Sequence, residues 1–324
     1  MADFSIGIVG LDELGGALSE RLEDQEFGHI VTDINSQNLQ IHVAESGVAP
    51  AATPSDVGQM CDLIFLAEIA DSTMRESVMG ATGLVHGVSS GTIIVDMCEA
   101  DPQTGVELTG KLASKGVISL EAALAGSPED VREGTATLLT SGRADMLTEI
   151  DPVLKAISAR SLRLGDLGSG KLAKALGTSA NAMATAVYTE AMLIAKRAGL
   201  DAAGVLAALP YLAPGAGTPP EAIAEQVLTG HFDTGVPINL VQKDIATTLD
   251  AAIRSGAPAL FLSQVQAAFA SARYLFDANG DAADMPRWLA QNAGVTFLPE
   301  AQNNDAADGD DFQPDASDDD LVGP

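Results

Sequence analysis

The chain has 324 residues, enough for two domains with their own cores, and its 17 Lys and Arg against 45 Asp and Glu give a net charge of -28. That charge excludes DNA, RNA and anionic membrane surfaces as partners, because each would be repelled before contact. Nine of the acids and no Lys or Arg fall from Glu300 onward. An acidic surface with few lysines suits a protein working at high salt, and plain solubility accounts for it equally well. Cys61 and Cys98 are far apart in sequence and form no CxxC or Cys/His cluster, so neither a disulfide framework nor a metal site is expected. The N-terminus lacks a basic segment ahead of an apolar run, and no apolar stretch reaches the ~18 residues of a membrane helix, so a cytoplasmic protein is expected.

In chain order, Ser5 to Val9 reads as a buried strand that turns at Gly10 into a helix over Leu14 to Leu22. Apolar strands follow at His29 to Thr32, Leu63 to Leu66, Thr92 to Val95 and Gly116 to Leu120, with helical stretches near Val57 and over Thr73 to Val78. Continuous rather than alternating apolar strands predict a parallel sheet covered on both faces. Thr135 to Thr140 reads as a further strand and Met146 to Ile157 as one helix. From Gly170 a long proline-free stretch predicts one long helix ended by Gly199. Helices are then expected at Ala202 to Ala208, Pro220 to Thr229, Asn239 to Ser255, Ala259 to Phe276 and Met285 to Gln291. The expected fold is α/β: a Rossmann-type dinucleotide-binding domain over 1–165, an all-helical domain built around the long helix over 166–299, and an acidic disordered tail over 300–324.

The turn Gly10-Leu11-Asp12-Glu13-Leu14-Gly15 is G-x-G-x-x-G with Asp12 at the middle glycine. These residues would hold a pyrophosphate at a helix N-terminus, and Asp12 brings bulk and negative charge to that place. Asp33, at the end of the second strand, has the spacing of a ribose ligand, with turn formation as the alternative. Ile34 follows it with no cation for a 2'-phosphate, so NAD is expected over NADP. Lys174, early in the long helix, can carry a proton to or from a substrate oxygen; with Lys171 and Lys196 on the same helix, a solvated lysine is the alternative. Cys98 reads as a small substitute for serine rather than a nucleophile, because Glu99 beside it opposes a thiolate. His231 reads as a surface residue, and Tyr188, Tyr211 and Trp288 as core or interface.

Separated motifs tie these residues together. GIVGLDELG opens the chain, Ile64-Phe65-Leu66-Ala67 closes the fourth strand, and Asp96-Met97-Cys98-Glu99-Ala100-Asp101-Pro102 matches D-x-S-T-x-x-P. Glu121 to Ser127 matches D-A-P-V-S-G-G, while Gly168, Gly170 and Lys174 match G-x-G-x-x-x-K-x-x-N-N. Glu190-Ala191 and Lys243-Asp244 follow as later matches. Over about residues 4 to 292 the chain resembles the β-hydroxyacid dehydrogenases, the family that includes 3-hydroxyisobutyrate dehydrogenase and is related to the 6-phosphogluconate enzymes. The resemblance implies an NAD(P)-dependent oxidoreductase that moves a hydride between nicotinamide and a carbinol or carbonyl carbon, with Lys174 as proton donor or acceptor. It implies a cofactor lying along Gly10, Leu11, Asp12, Glu13, Leu14, Asp33, Ile34, Leu66, Ala67, Cys98 and Lys243. It also implies a homodimer or homotetramer.

The chain departs from that pattern at the substrate end. Cys98 and Glu99 replace Ser-Thr, Ala125 replaces the serine of the substrate loop, and Gly177 and Thr178 replace the two asparagines. Each lost charge-assisted bond to a small anion costs roughly 1.5 to 3 kcal/mol. Gly126, Ser127, Thr178 and Asn181 remain as compensating substrate contacts with Cys98 and Ala125, and a substrate other than the usual 3-hydroxyacid is expected. Two other readings stay open: a lyase or epimerase that recycles a bound cofactor, and a nucleotide-binding member of the fold without catalysis.

Overall fold

A computed structural model of the chain describes residues 4–212, 223–277 and 279–297. The described residues divide between two compact units, Met1–Ser179 with Asp244–Pro258, and Ala180–Lys243 with Ala259–Pro324.

The first unit is built from β1 (Ile6–Val9), α1 (Glu13–Asp24), β2 (His29–Thr32), α2 (Ser36–Ser46), β3 (Ala49–Pro50), α3 (Pro54–Met60), β4 (Leu63–Leu66) and α4 (Asp71–Met79). It continues with β5 (Ile93–Asp96), α5 (Pro102–Ala113), β6 (Ile118–Ala125), α6 (Pro128–Glu133), β7 (Thr137–Gly142), α7 (Ala144–Glu149), α8 (Asp151–Ile157) and β8 (Arg160–Gly165). The eight strands form one sheet in the order β3-β2-β1-β4-β5-β6-β7-β8. Strand alternation sends Leu63 and Phe65 to one face, against Leu18 and Leu22 of α1 and Leu154 of α8. Ile64 and Leu66 pack on the other face with Val57, Met74 and Leu108 of α3, α4 and α5. Both faces are therefore dry, which explains why the strands read as unbroken apolar runs.

The expected all-parallel sheet is corrected at one pair: β6 and β7 are antiparallel. The connection from Ala125 to Thr137 holds only the short α6, too little for a right-handed crossover. The helix expected over Met146 to Ile157 is two, α7 and α8, because Pro152 offers no N–H and restarts the helix in its first turn. Most of the expected substrate loop is strand, since β6 runs on to Ala125.

The long helix α9 (Ser169–Arg197) begins in the first unit and continues into the second. It ends as expected at Gly199, which takes φ +78. The buried Ser179 hydroxyl of α9 donates to Thr248 Oγ1 at 2.9 Å, which ties the later part of α11 (Ile238–Ser255) to the first unit. The border drawn at residue 165 falls at the end of β8, whereas the compact first unit keeps the opening turns of α9.

The second unit is helical, with α10 (Ala202–Leu212), α12 (Leu260–Leu275) and α13 (Asp284–Asn292) besides its parts of α9 and α11. Met192, Leu193, Leu206, Val227 and Ala290 form its core, with Tyr188 packed against them. Of the stretch read as a helix over Pro220 to Thr229, Ile223–Val227 form a π-helical turn, and Pro220 and its neighbours lie outside the described residues, as does the 300–324 tail. No helix among the described residues is long and apolar enough to cross a membrane.

Candidate active site

In the strand order, β1 and β4 are neighbours while the chain proceeds from β1 to β2 on the other side, so a crevice opens at their carboxyl ends. A cleft of about 400 Å³ lies there. It is lined by Asp12, Glu13 and Leu14 after β1, Ala67, Glu68 and Ile69 after β4, Glu99 after β5, and Leu124 and Gly126 at the end of β6. The glycine turn has the tight geometry a dinucleotide needs. Gly10 takes φ +94, and a Cβ on Gly15 would stand 1.8 Å from the Gly10 carbonyl oxygen.

Asp12 occupies the N-cap of α1 without capping it. Its carboxylate instead accepts from Asn38 Nδ2 at 3.3 Å. The first-turn amides of α1, which have no partner within the helix, are left for an anion. The cradle thus fits a pyrophosphate in shape, and its charge opposes one. Burial, followed by repulsion from Asp33, raises the Asp12 carboxyl above the ordinary aspartate range. Burial also raises Glu68, whose carboxylate accepts from the Ser77 hydroxyl.

Asp33 is turned inward. Its Oδ2 accepts from the Leu11 amide at 2.7 Å and its Oδ1 from the Asn35 amide at 2.6 Å. The carboxylate read as a ribose ligand therefore braces the glycine turn, while Ile34, Asn35, Ser36 and Gln37 are the exposed residues beyond β2.

Lys174, on α9, places Nζ 2.8 Å from Glu99 Oε1, and both side chains are about one-third exposed (28% and 32%). The structure thus brings the predicted proton carrier to a carboxylate that lines the cleft. The other substrate-end residues are committed elsewhere. Ser127 caps α6, its hydroxyl donating to Asp130 Oδ2 at 2.8 Å. Thr178 Oγ1 donates back to the Lys174 carbonyl at 3.3 Å. Ala125 offers no polar group, and Gly126 lines the cleft at φ +136.

Cys98 is a core residue. Its thiol donates to the Leu66 carbonyl and accepts from the Glu68 amide, each at 3.3 Å, strapping the ends of β4 and β5 together. Burial and then Asp96 push the thiol well up, so it stays protonated and is no nucleophile. Leu66 points into the core, and Ala67 is buried at the cleft. Asn181 and Lys243 lie in the second unit, Asn181 exposed and Lys243 half-buried, and His231 is exposed.

Sequence reasoning passed over Lys171. It is 6% exposed, and its Nζ lies 2.7 Å from Asp96 Oδ2. Glu121 completes the cluster by accepting the amides of Lys171 at 2.7 Å and Gly168 at 2.9 Å. Gly170 lets the helix start come this close: a Cβ there would meet the Leu139 carbonyl oxygen at 2.4 Å. Burial works against the Lys171 charge, yet Asp96 foremost among its neighbours leaves its pKa raised. Burial likewise raises Glu121, with Lys171 opposing. The readable signal was a carboxylate in each of two apolar strands, IIVD and ISLEAALA, since a buried charge needs a partner.

Two family models match the chain. The NAD-binding domain of 6-phosphogluconate dehydrogenase matches residues 5–165, and the NAD-binding domain of NADP-dependent 3-hydroxyisobutyrate dehydrogenase matches residues 168–289. L-threonate dehydrogenase of Cupriavidus necator is 27% identical over 78% of this chain and 85% of its own. The 3-hydroxyisobutyrate dehydrogenase of Mycobacterium tuberculosis has the same fold, with TM-score 0.76 and 18% identity over 88% of this chain and 99% of that one. Psf3 in complex with NADP+ and 2-OPP matches with TM-score 0.70 and 19% identity over 88% of this chain and 99% of its own.

The second model corrects the expectation of NAD over NADP, since it is that of an NADP-dependent enzyme. The expectation rested on Ile34 bringing no cation to a 2'-phosphate, but neutral donors can also hold a phosphate, and Ser36 and Gln37 stand exposed beside Ile34. The chain belongs to the superfamily of 6-phosphogluconate and 3-hydroxyisobutyrate dehydrogenases, and is an NAD(P)-dependent oxidoreductase acting on a small hydroxy or carbonyl compound.

Proposed function

We propose that the protein uses NADP(H) to interconvert a small alcohol and its carbonyl compound, with Lys174 moving the proton, and that the substrate is not the usual 3-hydroxyacid. The observation that carries this reading is the Lys174–Glu99 pair, 2.8 Å apart, whose carboxylate lines the cleft at the strand ends. When bound, the cofactor supplies or accepts a hydride at its nicotinamide ring. Gly10 and Gly15 would let the chain come close to a pyrophosphate, the first-turn amides of α1 would hold it, and Asn35, Ser36 and Gln37, exposed beyond β2, would hold a 2'-phosphate. Glu99 fixes the Lys174 ammonium, which donates to the substrate oxygen in reduction; in oxidation the neutral amine takes the proton back.

The loss of side-chain anchors supports a substrate without the usual carboxylate: Ser127 is spent on a helix cap, Thr178 on its own helix and Cys98 on the core. We assign residues 1–165 to dinucleotide binding, 166–299 to the part that carries Lys174, and 300–324 to an acidic tail. Exposed Leu176, Val187 and Ile194 on α9 support association of the chain into a dimer or tetramer. A cytoplasmic location suits the two buried free thiols.

The test is a panel of small alcohols, aldehydes and ketones with NADP+ or NADPH, followed at 340 nm. The reading expects stoichiometric cofactor conversion with at least one of them. Product formation without net change in absorbance would instead support a lyase or epimerase that recycles its cofactor.

A further inference from the structure

We infer that Glu99 selects the charge of the substrate, so that the compound reaching Lys174 carries an ammonium group in place of a carboxylate. This rests on the proposed site at Lys174 and names the substrate class of that same site.

Three observations in the first unit carry the inference. The Lys174 ammonium, the cation that would attract a substrate carboxylate, is paired at 2.8 Å with Glu99, which stands where the sequence pattern has a threonine. The two hydroxyls nearest in sequence to the expected anion contacts are turned into the chain, Ser127 toward Asp130 and Thr178 toward the Lys174 carbonyl. Among the described residues, the other charged side chains lining the cleft are carboxylates. Asp12, Glu13 and Glu68 line it with Glu99, and Asp130 approaches Gly126 so closely that a Cβ there would lie 2.7 Å from its Oδ2.

A carboxylate substrate would enter among like charges, with the Lys174 ammonium beside it already paired to Glu99, which is an arrangement that disfavours such a ligand. An ammonium group would be drawn in by the same field, and Glu99 is the carboxylate beside the reacting lysine. The carbonyl oxygen then turns to Lys174 while the ammonium end stays within reach of Glu99. The inference predicts an amino aldehyde or amino alcohol of a few carbons as the best ligand.

The test uses the full chain saturated with NADPH and compares 3-aminopropan-1-ol with 3-hydroxypropanoate, two alcohols of equal length and opposite charge. NADPH cannot oxidise either, so calorimetry or ligand-detected NMR reads binding alone, and the result does not depend on Lys174 moving a proton. The amino alcohol is expected to bind about tenfold more tightly, and Glu99→Gln is expected to erase most of that ratio. Equal or tighter binding of the carboxylate, or failure of the amino alcohol to bind, overturns the inference. A Glu99→Gln protein that melts like the wild type and keeps the full ratio overturns it as well. Should that variant fold poorly, the wild-type ratio decides alone. Turnover lost in Lys174→Ala, with the amino alcohol still bound more tightly than the carboxylate, would support the inference and separate the two roles.

Discussion

Lys174→Ala is expected to lower kcat by about 10²- to 10⁴-fold while changing NADPH affinity little, because proton transfer to the substrate oxygen is lost and the glycine turn is untouched. Lys174 lies on α9, whereas the cradle is made by the β1–α1 turn, so the two effects separate in steady-state kinetics and a fluorescence titration of NADPH. Glu99 loses the Lys174 ammonium in the variant, but it is about one-third exposed and water can take up the released bond. A variant that keeps more than about one-tenth of the wild-type kcat would remove Lys174 from the chemistry.

Lys171→Met is expected to destabilise the protein by about 3–5 kcal/mol, the loss typical of a buried ion pair stripped of one partner. The substitution leaves Asp96 and Glu121 buried beside one another without their cation. Since the folded state raises the Lys171 pKa, the stabilisation is complete below the ordinary lysine pKa and is lost only as pH rises through the raised value. The deficit is therefore present throughout the neutral range. Urea midpoints of Lys171→Met and of Lys171→Met with Asp96→Asn provide the check, the double variant recovering part of the loss by removing one orphaned charge. A single variant within about 1 kcal/mol of wild type would show that the cluster does not hold the start of α9.

The contrast between the two lysines shows what was legible in the sequence. Lys174 was found through a motif, and the structure puts its ammonium at a carboxylate of the cleft. Lys171, three residues earlier, looked like any helix lysine because its burial depends on Asp96 and Glu121, which lie 75 and 50 positions away. Apolar strands such as Leu63–Leu66 were plain from composition, since burial on both faces leaves no polar positions.

Less was readable where side chains are polar. Helix α2 has a mostly exposed, weakly patterned sequence and is marked chiefly by its ends, Asn35 accepting from the Gln37 amide and Gly47 at φ +75. The edge strand β8 is exposed over most of its length, so no apolar run announces it. The hydroxyls of Ser127 and Thr178 were read as substrate contacts from position alone. Nearer acceptors claimed both, Asp130 in a capping box and the Lys174 carbonyl one helical turn back. The direction of the Asp33 carboxylate was equally hidden, because bonding to the amides of Leu11 and Asn35 is set by the fold of the turn.

The β1–α1 turn is expected to receive a phosphate-bearing cofactor although Asp12 stands in it. Calorimetric titration of the purified chain with NADPH, after removal of any carried-over cofactor, at low and at molar salt, tests it most directly. One NADPH should bind per chain, and more tightly in molar salt, because a protein of net charge -28 with carboxylates in the cleft repels an anionic ligand until that repulsion is screened. Absence of binding at every salt concentration would mean that Asp12 closes the cradle and that the turn does not receive the cofactor.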